Sequence, residues 1–176
     1  MRRPPLAMAA VDTLRRLAGA SLLQVLPGES SRYRLLETMR LYARTHLEGA
    51  RLWDDLVARH DDHFRDRCRE FRGAVFGSGR TAARLAVEAE LADYEAAFDR
   101  RMENGRIGEA LDMAWVLGHV WLFSGKLDRG IDRLERLADV SGGMQTQSRA
   151  DALSAAAFLL MYVTRYDQAI PWADEA

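Results

Sequence analysis

Cysteine is almost absent: Cys68 is the only thiol in 176 residues. That excludes an intramolecular disulfide framework and suits a reducing compartment. Lysine is as scarce, since Lys126 stands alone beside the arginines, which reads as a coding bias more than a recognition code. Long apolar runs are missing too. "AAAFLLMYV" (155–163) is about half of what a spanning helix needs. The apolar run of 6–11 in "MRRPPLAMAAVDTLRR" is too short for a signal peptide and is cut off by Asp12 and two arginines. A soluble, cytoplasmic protein without a membrane partner is expected. No G-x-x-x-x-G-K-[ST] occurs, so no loop is present to wrap phosphates and no lysine to reach them. "GSGRT" (77–81) follows no strand, carries Arg80 where the lysine would stand, and reads as an interhelical break. Hydrolytic chemistry also lacks its parts: no Ser and His are arranged to activate a nucleophile.

What is present is apolar residue, 48% of the chain, enough for a folded core. The net charge of −1 hides an asymmetry. Residues 1–51 hold nine arginines against four acids, a charge of +5, leaving −6 for the rest. A basic head on an acidic body fits a polyanionic partner for the head, or docking of head and body on each other.

The head reads as helix, hairpin, helix. Val11, Leu14, Leu17 and Ala18 fall at helical spacing, and Gly19 ends that helix. "LLQVL" (22–26) is strand-like, "PGESS" (27–31) has turn composition, and "RYRLL" returns with Tyr33 and Leu35 on one side. From Glu37 the period becomes 3.6, with Leu36, Met39, Ala43 and Leu47 in a stripe. A hairpin held between short helices must lie on them, and that arrangement is a winged helix. Residues 1–48 are read as a partial winged helix, 49–105 as a helical linker with a first helix pair, and 106–176 as tetratricopeptide-like pairs, incomplete at the C-terminus. The fold class is mainly α: a winged-helix segment with a small hairpin, then an α-solenoid.

In the body, Trp53, Leu56, Val57, His60, Phe64, Cys68 and Phe71 form one stripe. A second helix is expected to carry Val87, Leu91, Tyr94, Phe98 and Met102 in one line. The segment 107–123 is apolar nearly all round, as an inner helix would be. "SGKLDRGI" (124–131) aligns with "VTRYDQAI" (163–170) at an offset of 39 residues, and "NGRIGEAL" (104–111) has the same form. Helix-pair units of this length characterise α-solenoids. The absence of a capping helix after "PWADEA" makes the chain look like a fragment.

Three stretches together carry a resemblance: "SLLQVLPGESSRYRLLETMRLYARTHL", "RHDDHF" (59–64) and "EAELADYEAAFDRRMENG" (88–105). They resemble successive landmarks of LuxR- and AfsR-like bacterial transcriptional regulators of the signal-transduction ATPase (STAND) class. Arg32–Ala43 is the most specific part; Tyr94 stands where that family usually has Asn. The resemblance implies a winged helix that relays the nucleotide state of a preceding ATPase core to tetratricopeptide-type repeats. ATP or ADP would then bind only in that absent neighbour, with no cofactor in this chain. It implies a non-catalytic part that relays partner or effector binding.

Candidate sites follow. Arg15 and Arg16 on the first helix, Arg32 and Arg34 on the returning strand, and Arg40 beyond it would dock against a protein domain or contact a DNA backbone. Docking is preferred, because the first helix offers no Asn, Gln or Lys to read bases and the turn carries Glu29. Trp121, Tyr162 and Tyr166 are candidates for a partner groove. His60, His63 and Cys68 lack the spacing and number of a zinc site and are read as packing or surface residues. Asp54–Asp55, Asp61–Asp62 and the acids around Asp93 are read as the wet face of their helices, not as acid–base pairs.

Overall fold

The computed structural model describes residues 6–26, 32–74 and 79–176, with side chains from Ala10 onward. The expected turn "PGESS" lies outside the described residues. Contacts divide the chain into two compact units, Met1–Leu56 and Val57–Ala176.

In the first unit, helix α1 (Leu6–Gly19) leads into strand β1 (Leu23–Leu26), which pairs antiparallel with β2 (Arg32–Leu35). The expected hairpin is present. Its register sets Leu23 opposite Leu35 and Val25 opposite Tyr33, and so places Gln24 with Arg34 and Leu26 with Arg32 on the other face. Leu36 alone links β2 to α2 (Glu37–Gly49): it is extended, with φ −62° and ψ 145°, and the helix begins at the next residue. Glu37 favours that start by placing a carboxylate in the first turn.

The second unit holds α3 from Val57 onward (the helix spans Trp53–Ala74), α4 (Arg80–Ala89), α5 (Leu91–Glu103), α6 (Ile107–Phe123), α7 (Leu127–Val140), α8 (Gln147–Tyr162) and α9 (Tyr166–Glu175). Helix α6 is central, as its all-round apolarity predicts. It packs against α4, α5, α7 and α8 and buries residues on every side, from Ala110 to Trp121. One core joins Phe64 and Cys68 of α3, Val87 of α4 and Tyr94 and Phe98 of α5 to α6–α9.

The single helix expected through Val87 and Met102 is instead two. Glu90, at φ −118° and ψ 19°, separates α4 from α5, with tight turns closed by Glu90 N–H to Val87 O (3.1 Å) and Asp93 N–H to Glu90 O (2.9 Å). No Gly or Pro stands between Arg80 and Glu103. Tertiary packing therefore makes the break, since nothing in the local sequence asks for it.

Five helices end in the same way. Leu22, Leu52, Arg106, Lys126 and Arg165 each donate N–H to the carbonyl five residues back, at 2.8–3.0 Å. The residue before each of them has positive φ: Ser21, Arg51, Gly105, Gly125 and Thr164. This is the Schellman closure, which satisfies carbonyls that the helix end leaves open. In three of these turns Arg106, Lys126 or Arg165 then serves as N-cap of the next helix with nearly the same φ and ψ. Four positions on come Ala110, Gly130 and Ala169, all buried. The small side chain is required at Gly130, where a Cβ would stand 2.6 Å from Leu159 Cδ2 and 2.9 Å from Trp121 Cβ. The 39-residue offset seen in the sequence thus corresponds to one repeated turn geometry.

Thr164 takes at φ 61° the place that Gly105 and Gly125 fill at φ 70°. A β-branched residue is strained there. Thr164→Gly is expected to raise the unfolding free energy by about 1 kcal/mol, the relief of strain exceeding glycine's entropic cost. Urea unfolding of the two proteins measures it.

Candidate functional site

Three groups of residues carry chemistry. The first is the set of arginines of the head. Arg32 and Arg34 leave the same face of the hairpin, Arg32 half-buried and Arg34 exposed. Arg15 and Arg16 are exposed on α1, and Arg15 lies 3.6 Å from Asp12. Arg40 is held by Glu37 one turn earlier through two hydrogen bonds of 2.6 and 3.0 Å, so its charge is largely answered within α2. Elsewhere on the head the surface is apolar. Leu23 is the one buried side chain described between residues 10 and 56, and α2 buries none. Val25, Leu41 and Tyr42 are each more than half exposed.

The second group is a balanced charge cluster inside the other unit. Arg100 of α5 forks onto both carboxylate oxygens of Asp61 of α3 (3.0 and 3.1 Å). Its neighbour Arg101 is 1% exposed and reaches Asp62 (2.9 Å) and Glu109 of α6 (3.1 Å). Arg65 closes the set on Glu109 at 3.0 Å. Asp61 is therefore buried rather than on a wet face, because α5 supplies its counter-charge from 39 residues away. His60 extends the cluster to Asp93 at 3.6 Å. The nearby Asp93 carboxylate raises the His60 pKa above 6.5 against the opposing effect of burial, and the same contact lowers that of Asp93.

The folded state binds the His60 proton more tightly than the unfolded chain, so this contribution is complete below about pH 6.5 and is lost as pH rises through the folded-state value. The urea midpoint is expected to fall slightly over that range and to fall less in His60→Gln. Equal slopes in the two proteins would reject the assignment.

The third group is an apolar trough on α4, α6 and α8. Its walls include Phe123, Phe158 and Tyr162, all more than half exposed. Of the residues expected to form a groove, Tyr162 lies there. Tyr166 is exposed at the start of α9. Trp121 sits in the core at 0% exposure, its ring N–H donating to Glu95 Oε1 at 2.9 Å. Phe158, unremarked in the sequence, takes its place; it was legible as the large side chain within the small-residue run "SAAAF".

Cys68 is buried, and desolvation pushes its thiol up to about 12, so it stays protonated and unreactive. His63 is exposed. Among the described residues no group of three or more His, Cys, Asp or Glu could hold a metal ion, and no helix is long and apolar enough to cross a membrane.

Comparison with known proteins points to transcriptional regulators of helix-turn-helix (HTH) type. Three curated mycobacterial proteins, one from Mycobacterium bovis and two from strains of Mycobacterium tuberculosis, carry that name as a provisional assignment. Each is 33% identical to this chain over 130 residues, covering 69% of the chain and 14% of the relative. The chain therefore spans about one seventh of the length of the curated relatives it matches. No family model and no solved structure matches it.

Proposed function

We propose that this chain is a non-catalytic transmission and sensing part of a longer STAND-type transcriptional regulator. In this reading the first unit is a partial winged helix and α6–α9 are tetratricopeptide-like pairs. Partner binding on the helical body is relayed to an ATPase core, where ATP or ADP binds, and to an output module elsewhere in the regulator. The observation that carries it is the head's lack of a core. With Leu23 as its one buried side chain among those described, and with Leu35, Leu36, Leu41 and Tyr42 exposed, the hairpin and α2 present the kind of surface that another protein covers. Exposed Arg34 adds a charge that such a partner can answer. Names of the relatives and the repeated helix closures support the same reading.

The test is co-purification with the nucleotide-binding core of the regulator to which the chain belongs. Leu41→Ser together with Tyr42→Ser should abolish capture while leaving the helical circular dichroism unchanged, and Arg34→Glu should weaken it. Capture unaffected by all three substitutions would reject docking through this face.

A second reading is favoured by the relatives' HTH-type names and the exposed Arg15, Arg16 and Arg34: the head binds duplex DNA. It predicts a mobility shift that weakens steeply with salt and disappears in Arg15→Ala/Arg16→Ala. The exposed Leu41 and Tyr42 of α2 speak for protein instead, because phosphates give them nothing to bury against.

A further inference from the structure

The trough of α4, α6 and α8 is one continuous surface. A depression lined by Ala83, Val87 and Val120 and one lined by Gly118, Ala155 and Leu159 share His119 and Phe123. Gly118 makes its floor: a Cβ there would stand 2.7 Å from Ala155 Cβ, so α6 and α8 approach with only the Ala155 methyl between their backbones and the bulk is left to the walls. Those walls are Phe123, Phe158 and Tyr162, at 54%, 57% and 63% exposure. Three large aromatics left in water around one depression mark a binding surface.

Size decides the kind of occupant. The part between α6 and α8 holds about 130 Å³, below the roughly 300–1,000 Å³ of pockets that enclose small molecules. It suits one anchoring side chain of a protein segment. Charge decides the sign. No acidic residue lines either depression, and the α4 end carries Arg80 and Arg84. Arg84 is answered by Glu88 at 2.6 Å. Arg80 is exposed at the first position of α4, and its guanidinium makes no hydrogen bond or ion pair among the described residues.

We infer that this trough binds an acidic amphipathic segment of a partner protein, with an apolar or aromatic side chain seated between Phe123, Phe158 and Tyr162 and a carboxylate on Arg80. The inference rests on the reading of the chain as a partner-sensing part and names the chemistry of that partner. Such segments bind helix surfaces through apolar anchors at helical spacing, and aromatic walls contribute most of the energy at such contacts.

The experiment uses the full chain and fluorescein-labelled peptides of about four helical turns. One carries Leu and Phe at every third or fourth position with Glu between; a second has Lys for Glu; a third has Ser for the apolar residues. The acidic apolar peptide should bind, and the other two should be weaker by about tenfold or more. Phe158→Ser should cost about tenfold, and Arg80→Glu should weaken the acidic peptide while strengthening the basic one. Both side chains are exposed, so the fold is preserved, as circular dichroism checks. Equal binding of acidic and basic peptides, or no binding of the first, overturns the inference. So does a concentration-dependent dimer in sedimentation that Phe158→Ser abolishes, since a second copy would then cover the trough. Each of these failures leaves docking through Leu41 and Tyr42, on the other unit, as it stands.

Discussion

Replacing Arg101 by alanine is expected to lower the unfolding free energy by about 2–5 kcal/mol, a large part of the ~5–15 kcal/mol that holds a domain folded. Arg101 is 1% exposed, and its guanidinium bonds both Asp62 and Glu109 while Asp61 lies 3.9 Å away. The cluster balances three guanidinium groups, those of Arg65, Arg100 and Arg101, against Asp61, Asp62 and Glu109. Removing Arg101 takes away the one fully buried cation of the set and opens a cavity where its long stem packed. Asp61 keeps Arg100, Asp62 keeps Arg65 at 3.5 Å, and Glu109 keeps Arg65 and Arg106, so the damage centres on the void. Arg101→Met fills the void without the charge and should lose less, because well-packed apolar side chains replace buried ion pairs at small cost. Urea unfolding of the three proteins measures both. A loss within about 0.5 kcal/mol for Arg101→Ala, the range of an ordinary surface site, would mean that the cluster does not hold α3, α5 and α6 together.

That cluster also marks where sequence reasoning stops. The hairpin was legible because alternation in 23–26 and 32–35 and the turn residues between them are local signals, and the register then follows from the pleat. The inner position of α6 was legible because a helix without a polar face has only one place to go. Asp61 was not legible, since nothing near it in the chain announces Arg100; an acid on an amphipathic helix has the same pattern whether water or a distant arginine answers it. The break at Glu90 was hidden for a related reason: it serves packing, and Gly or Pro does not mark it. Trp121 and Phe158 show the limit for the groove. Both are aromatics on largely apolar helices, and only the packing of α6 against α5 and α7 turns one inward, while α8 leaves the other on the surface.

Trp121→Ala should be the most damaging single change outside that cluster, with a loss of about 3–5 kcal/mol from the emptied volume and a further ~1–3 kcal/mol if the freed Glu95 oxygen finds no donor. Trp121 has no exposed surface, stands edge-on to Phe98 at 6.2 Å and 88°, and faces Gly130 so closely that no Cβ fits between them. Glu95 is itself 3% exposed and takes its second hydrogen bond from Arg129, so Trp121 both fills the α5–α6–α7 junction and supplies a donor to a buried carboxylate. Trp121→Phe separates the two roles. It restores most of the ring but not the N–H, and its deficit, expected at about 1–3 kcal/mol, reads the bond to Glu95. Glu95→Gln in the Trp121→Phe background should recover little, because the carboxylate also answers Arg129. If Trp121 instead served a surface groove, Trp121→Ala would leave the urea midpoint in place and alter only partner binding.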